Sequence, residues 1–170
     1  AGLPVPQIFR EFVQDGNRYL VLERIPGRPL LPSARVQPKK FSWRRAEKIL
    51  KQIEPVLARI HAAGWVWRDC KPSHILVRRD QLHLIDFEGA CRIDRKNILP
   101  WGSSNYSRAR ASTRRAGVHE DNYALGVIAF QFGTGKFPPA SKRGRAIIYR
   151  RSRCPNVLWT HIEQLLDVGI

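Results

Sequence analysis

The feature that most constrains the fold is a polar loop that runs directly into a short apolar segment. Residues 67–77 read Trp-Arg-Asp-Cys-Lys-Pro-Ser-His-Ile-Leu-Val, and residues 84–88 read Leu-Ile-Asp-Phe-Glu. The first stretch places Asp69 and Lys71 before a predicted strand, and the second places Asp86 at the end of the next strand. Phosphoryl transfer needs such a layout, because the protein must orient a hydroxyl group and hold metal-bound phosphates in line.

The composition is that of a folded protein with one domain. With 170 residues, of which 43% are hydrophobic and 26% charged, the chain can bury a core of its own. It contains no apolar run long enough to span a bilayer and no signal-peptide pattern at its N-terminus. The three cysteines show neither metal-ligand spacing nor a disulfide framework, so we expect a cytoplasmic location. The chain has no methionine, and we expect it to be a piece of a longer polypeptide.

Net charge is the unusual property of the composition. Lys and Arg number 30 against 14 Asp and Glu, which gives a net charge of +16. This balance favours a polyanionic partner such as nucleic acid, an anionic membrane surface or an acidic substrate. A solvated basic surface with no dedicated partner explains the charge equally well. Specific nucleic-acid binding is the least favoured option, because the sequence has no aromatic platform and no recognisable binding motif.

The N-terminal part of the chain predicts a hairpin followed by a long helix. Residues 7–13 and 19–25 are β-prone runs on either side of an Asp-Gly-Asn turn. Apolar residues then recur at helical spacing from Ser42, a suitable N-cap, to Gly64, a suitable C-terminal stop. Pro55 lies inside this helix and is predicted to kink or divide it.

The remaining elements alternate with turn-forming residues. Residues 75–77 and 82–85 predict a second hairpin, and residues 122–132 are apolar on nearly all sides, which predicts a buried helix. Two short helices are predicted after this segment, of which 157–166 has the stronger pattern.

Taken in order, these motifs resemble the protein-kinase-like fold. Residues 67–69 (Trp-Arg-Asp) stand where that family has His-Arg-Asp, and residues 86–88 (Asp-Phe-Glu) stand where it has Asp-Phe-Gly. Residues 100–106 resemble the Gly-Thr-x-x-Tyr loop that receives the substrate, and residues 121–138 resemble the buried helix that anchors the C-terminal lobe. The resemblance covers almost the whole chain at family spacing.

The resemblance implies an α+β fold made mainly of the helical C-terminal lobe, with two short β-hairpins. Residues 42–170 would form that lobe, residues 26–41 the hinge and a linker, and residues 1–25 the last two strands of the N-terminal lobe. The rest of the N-terminal lobe, including the glycine-rich phosphate loop and the strand lysine, is expected to be absent from this chain.

The resemblance also implies roles for single residues, with ATP and Mg²⁺ as cofactors. Asp69 would accept or orient the proton of the acceptor hydroxyl, and Lys71 would contact the transferring phosphate. Asp86 would bind the magnesium ion that bridges the phosphates. Asp121 would hold the backbone of the catalytic loop.

An adenine site is implied next to the hinge. Leu22 and Leu76 would border the ring, and backbone groups of Glu23 and Ile25 would form hydrogen bonds with it. Simple core packing explains the two leucines equally well.

Four positions depart from the family pattern. His74 replaces the asparagine that helps to hold magnesium, and imidazole matches a hard, oxygen-seeking ion poorly. Three outcomes stay open: one carboxylate holds the metal, His74 acts through a water molecule, or catalysis is impaired. Glu88 replaces a glycine, Trp67 replaces a histidine that chiefly packs, and Arg110 replaces the glutamate of Ala-Pro-Glu.

Three functions are consistent with these residues. The favoured one is ATP- and magnesium-dependent phosphoryl transfer to a hydroxyl group of a protein or other acceptor, as in bacterial serine/threonine protein kinases. The second is a catalytically impaired pseudokinase scaffold, motivated by His74, Glu88 and Arg110. The third is a lipopolysaccharide or other small-molecule kinase, motivated by His74 and the basic charge. A glutamate at the position of Glu88 is also a resemblance to the kinase domain of class III lanthionine synthetases.

Overall fold

The computed structural model describes residues 3–31, 42–96, 101–107 and 115–167. Within these ranges it contains four α-helices and three small antiparallel sheets, in agreement with the predicted α+β class. None of the described helices is long and apolar enough to cross a membrane. In chain order the elements are β1 (Ile8–Gln14), β2 (Asn17–Leu22), β3 (Arg28–Pro29), α1 (Trp43–Ala62), β4 (Trp65–Val66), β5 (Ile75–Arg78), β6 (Gln81–Leu84), β7 (Cys91–Arg92), α2 (Val118–Thr134), α3 (Lys142–Arg151) and α4 (Asn156–Asp167).

The predicted N-terminal hairpin is confirmed as the antiparallel pair of β1 and β2. Its turn consists of Asp15 and Gly16, whose φ angles of 50° and 75° suit a tight two-residue hairpin turn. The hairpin stands away from the core. It exposes apolar side chains on both faces, among them Ile8 (66% exposed), Val13 (66%) and Leu20 (53%).

Helix α1 follows the predicted limits but is not divided at Pro55. Ser42 caps its N-terminus, since its side chain accepts a hydrogen bond from the backbone amide of Arg45 at 3.3 Å. The prediction of a break was wrong because Pro55 lies on the exposed face of the helix. A proline at this position leaves the backbone carbonyl of Lys51 without its usual donor, and Lys51 is itself an exposed residue.

The second predicted hairpin is confirmed as β5 and β6, and α1 holds it in place through one side chain. The Gln52 amide group donates to the backbone carbonyl of Asp80 at 3.1 Å and accepts from the backbone amide of Leu82 at 2.9 Å. The short strand β3 extends the sheet by pairing Pro29 with Leu76. The polar loop before β5 and the segment after β6 therefore leave the same end of one small sheet.

Helix α2 forms the centre of the core, as its apolar sequence predicted. It packs against α1 on one side and α4 on the other, and its residues from Ala124 to Phe132 are buried. Gly126 permits the close approach to α4, because a Cβ atom at this position would lie 2.9 Å from the Cβ atom of Leu165. The buried helix supplies a rigid base for the loop that precedes β5.

Helices α3 and α4 are joined by a buried ion pair. The Arg145 side chain is only 5% exposed, and it donates two hydrogen bonds to the Glu163 carboxylate, at 2.7 and 3.0 Å. A further hydrogen bond of 2.9 Å connects Arg145 with Asp167. Such two-pronged contacts are among the stronger charged interactions in proteins.

We predict that Arg145→Ala lowers the free energy of unfolding by about 3 kcal/mol, because the partly buried Glu163 carboxylate loses both hydrogen bonds from the guanidinium group and Asp167 keeps only its contact with Lys142. The matched control is Arg150→Ala in the same helix, where the side chain is exposed, and it should change the free energy by less than about 0.5 kcal/mol. Urea denaturation followed by circular dichroism measures both values. Equal effects of the two variants would contradict the assignment.

Candidate active site

The loop before β5 is held by one buried carboxylate from the first turn of α2. Asp121 is fully buried, and its two oxygens accept hydrogen bonds from the backbone amides of Trp67 at 2.9 Å and Arg68 at 2.7 Å. The Nε2 atom of His61 lies 2.8 Å from the same carboxylate. The structure thus confirms the expected role of Asp121 in holding the backbone of this loop.

The side chain of Arg68 ties the loop to α2 a second time. Its Nε atom donates to Glu120 Oε2 at 3.1 Å, and the other oxygen of Glu120 accepts from the backbone amide of Gly117 at 3.2 Å. Arg68 has a φ angle of 70°, which a non-glycine residue adopts only when its surroundings hold it there. The loop conformation is therefore fixed by contacts on both sides of residue 68.

Trp67 connects the two halves of the site, a role that the sequence did not reveal. Its side chain is fully buried, its Nε1 atom donates to the backbone carbonyl of Asp86 at 2.7 Å, and its ring stacks on Phe87 at a centroid distance of 5.5 Å. The expectation that this position chiefly packs did not include this hydrogen bond. The indole N–H fixes the backbone at Asp86, whose φ angle of 63° lies in the left-handed region.

The polar side chains of the loop and of the segment after β6 meet in one cluster. Lys71 Nζ donates to Asp69 Oδ2 at 2.9 Å. The ring of His74 lies between two carboxylates, with Nδ1 3.3 Å from Asp69 Oδ2 and Nε2 3.1 Å from Asp86 Oδ2. Asp69 and His74 are nearly buried, whereas the Asp86 side chain is 36% exposed, so the cluster opens towards solvent at Asp86.

The two ring nitrogens of His74 are not equivalent. Although Nδ1 lies 3.3 Å from Asp69, the contact lacks hydrogen-bond geometry, and Nδ1 is buried without a hydrogen-bond partner among the described residues. Burial lowers the pKa of His74 from its usual value, although the carboxylates of Asp69 and Asp86 act in the opposite direction. The shift favours the neutral imidazole, which has a lone pair free to bind a cation.

The cluster suits a divalent cation. Asp69, His74 and Asp86 each offer one ligand atom, and these atoms lie within 4.8 Å of one another. Two carboxylates and one imidazole form a mixed oxygen and nitrogen donor set, which accepts Mg²⁺ through its oxygens and transition metals through all three groups.

The segment that was expected to receive the substrate borders the cluster. Ser103 Oγ donates to Asp69 Oδ1 at 3.4 Å, a contact that the sequence did not predict. The segment is anchored to the core by Tyr106, whose hydroxyl donates to Gln131 at 2.8 Å and whose pKa is raised by burial to about 12. Arg110, which was expected to alter this segment, lies outside the described residues.

The four residues expected around adenine differ in their surroundings. A cavity of about 550 Å³ is lined by Leu22 together with Asp86 and Glu88, but not by Glu23, Ile25 or Leu76. Leu22 is 49% exposed, whereas Leu76 is buried in the sheet. These positions stay predictions for the nucleotide-bound protein.

Glu23 is also less available than expected. Its backbone amide already donates to the carbonyl of Gln7 at 2.8 Å, so only its carbonyl can serve a ligand.

We predict that Trp67→Phe keeps the stacking on Phe87 but destabilises the protein by about 0.5–1.5 kcal/mol, because the carbonyl of Asp86 loses a partly buried hydrogen bond. The matched control is Trp65→Phe, since that indole is 40% exposed and should tolerate the change. Thermal and urea denaturation measure the difference. A Trp67 variant as stable as the control would refute the role of this hydrogen bond.

Comparison with known proteins gives the family. The protein kinase domain family matches residues 5–165. The chain is 34% identical over 166 residues to serine/threonine-protein kinase C of Synechocystis, covering 91% of this chain and 30% of that protein. It is 31% identical over 163 residues to serine/threonine-protein kinase PknA of Mycobacterium tuberculosis, covering 89% and 38%. Citron rho-interacting kinase of Rattus norvegicus is 29% identical over 145 residues, covering 79% and 7%.

The chain therefore spans well under half of the length of these curated relatives. The match nevertheless extends over nearly all of the 170 residues, from the N-terminal hairpin to the last helix. The chain belongs to the protein kinase family.

Proposed function

We propose that this chain carries the phosphoryl-transfer centre of an ATP-dependent serine/threonine-type kinase. The observation that carries the proposal is the convergence of Asp69, Lys71 and Asp86, which come from two separate segments and meet around His74. The kinase family and the serine/threonine kinases among the relatives support the same chemistry.

In this mechanism Asp69 orients the acceptor hydroxyl and takes its proton as the new oxygen–phosphorus bond forms. The bond between the γ-phosphorus and the bridging oxygen breaks, and ADP leaves with that oxygen. Lys71 lies 2.9 Å from Asp69 and supplies positive charge to the transferring group. A divalent cation at Asp86, with Mg²⁺ as the usual ion of the family, would neutralise the phosphates.

The acceptor is proposed to be a serine or threonine hydroxyl of a protein. The contact of Ser103 with Asp69 supports this proposal, because Ser103 belongs to the segment that resembles the substrate-receiving loop. The net charge of +16 favours an acceptor with acidic surroundings. The assignment of residues 1–25 to the N-terminal lobe, 26–41 to the hinge and 42–170 to the C-terminal lobe is part of this proposal.

One observation favours a second candidate, a pseudokinase. His74 contacts both Asp69 and Asp86, so its ring occupies the space between the candidate base and the candidate metal ligand. If the ring stays between these two carboxylates, Asp69 is less free to take the proton of an acceptor hydroxyl, and phosphoryl transfer would be impaired. The lipopolysaccharide or small-molecule kinase is distinguished by its acceptor alone.

We predict that Asp69→Asn and Asp86→Asn each lower phosphoryl transfer by about 10²–10⁴-fold, because they remove the proton acceptor and the metal ligand. The matched control is Asp80→Asn, which changes an exposed carboxylate in the β5–β6 turn and should keep full activity. Transfer of labelled phosphate from ATP by the full-length protein to casein, to synthetic peptides and to lipopolysaccharide measures activity and acceptor class. Absence of transfer to every acceptor would contradict catalysis, and transfer only to the glycolipid would contradict the protein acceptor.

We also predict that ATP stabilises the full-length protein only when a divalent cation is present, by about 2.7 kcal/mol at a ligand concentration 100 times the dissociation constant. Asp86→Asn should remove most of this metal dependence, and Asp80→Asn should preserve it. Thermal denaturation with ATP in the presence of Mg²⁺, Mn²⁺ or a chelator measures the effect. A protein that no nucleotide stabilises under any of these conditions would be the pseudokinase.

A further inference from the structure

We propose that the metal site of this chain uses His74 Nε2 and Asp86 as ligands and prefers the transition metal Mn²⁺ to Mg²⁺. The inference rests on the proposed function only in so far as it places a divalent cation at Asp86. It goes beyond the three outcomes left open for His74, because here the imidazole nitrogen binds the ion directly.

The observed spacing suits two ligands of one ion. His74 Nε2 and Asp86 Oδ2 lie 3.1 Å apart. Two donor atoms that are each about 2.1 Å from one cation, at a right angle, are about 3 Å apart. Both donors belong to fixed backbone segments, because His74 is the last residue of a one-turn 3₁₀ helix (Pro72–His74) and the backbone carbonyl of Asp86 accepts a hydrogen bond from Trp67.

A metal-binding histidine needs a hydrogen-bond acceptor for its other ring nitrogen, and the Asp69 carboxylate lies on that side of the His74 ring. Nδ1 lies 3.3 Å from Asp69 Oδ2 and has no hydrogen bond among the described residues. A small rotation of the ring towards a cation at Nε2 gives this N–H a carboxylate acceptor. Carboxylate–histidine–metal arrangements of this kind fix the ring tautomer and make the imidazole a better ligand.

Ligand chemistry then determines the preferred ion. Mg²⁺ is a hard cation that selects oxygen ligands and keeps several waters, whereas imidazole nitrogen is a normal ligand for first-row transition metals. For a given nitrogen and oxygen site, Zn²⁺ is expected to bind more tightly than Mn²⁺. We use Mn²⁺ as the probe because it accepts octahedral oxygen-rich sites and is paramagnetic.

The test is pulsed electron paramagnetic resonance of Mn²⁺ added to the protein without nucleotide. We expect hyperfine coupling to one ¹⁴N nucleus in the wild-type protein, loss of this coupling in His74→Asn, and its retention in His83→Asn. His83→Asn is the matched control, because it makes the same substitution on strand β6, outside the cluster of Asp69, His74 and Asp86. Titrations with Mn²⁺ and Mg²⁺ should show that His74→Asn lowers the ratio of the two affinities at least 10-fold relative to the wild type.

Absence of ¹⁴N coupling in the wild-type protein with bound Mn²⁺, or an unchanged affinity ratio in His74→Asn, would overturn the inference. Failure of the proposed function gives a different result. If the protein shows the coupling but transfers no phosphate with either metal, the result supports the metal site and contradicts the kinase mechanism. If the protein transfers phosphate with Mg²⁺ but shows no coupling, the result supports the kinase mechanism and contradicts His74 as a metal ligand. The wild-type spectrum does not depend on whether a variant folds.

Discussion

The candidate active site depends on the burial of the Asp121 carboxylate beneath the loop that precedes β5. A buried carboxylate is costly unless its oxygens are hydrogen bonded, and here the backbone amides of Trp67 and Arg68 and the ring of His61 supply these bonds. Because two consecutive amides point at one carboxylate, the peptide planes on either side of Trp67 are fixed. The side chains of residues 67–69 must then leave the loop in set directions.

The side chains of these three adjacent residues therefore make three different contacts. Trp67 reaches the backbone of Asp86, Arg68 reaches Glu120 at the start of α2, and Asp69 reaches the polar cluster. The indole hydrogen bond joins the two segments that carry the two carboxylates. The distance between the candidate base and the candidate metal ligand is therefore set by interactions of backbone groups with buried side chains rather than by the flexible groups at the solvent edge.

The parts of this arrangement that could be predicted from the sequence are those that depend on local pattern. Alternation and turn residues predicted both hairpins, and helical spacing predicted α1 and the buried α2. The contacts of Trp67 and Ser103 could not be predicted in this way, since they join residues far apart in the chain. The exposed position of Pro55, which allows α1 to continue, likewise depends on which face of the helix meets α2. The four positions assigned to adenine came from resemblance, and one of them, Leu22, lines the cavity of about 550 Å³ beside Asp86.

The electrostatic balance of the cluster explains why one residue, His74, determines the chemistry. Two carboxylates that approach the same ring repel each other, and Lys71 contacts only one of them. A bound cation or a proton on His74 would each supply positive charge beside Asp86, and burial of the ring opposes the proton. A neutral amide in place of His74 could not carry that proton and would offer a cation only oxygen. Imidazole at position 74 therefore still allows the cluster to bind a divalent cation, but its nitrogen changes which cation binds best.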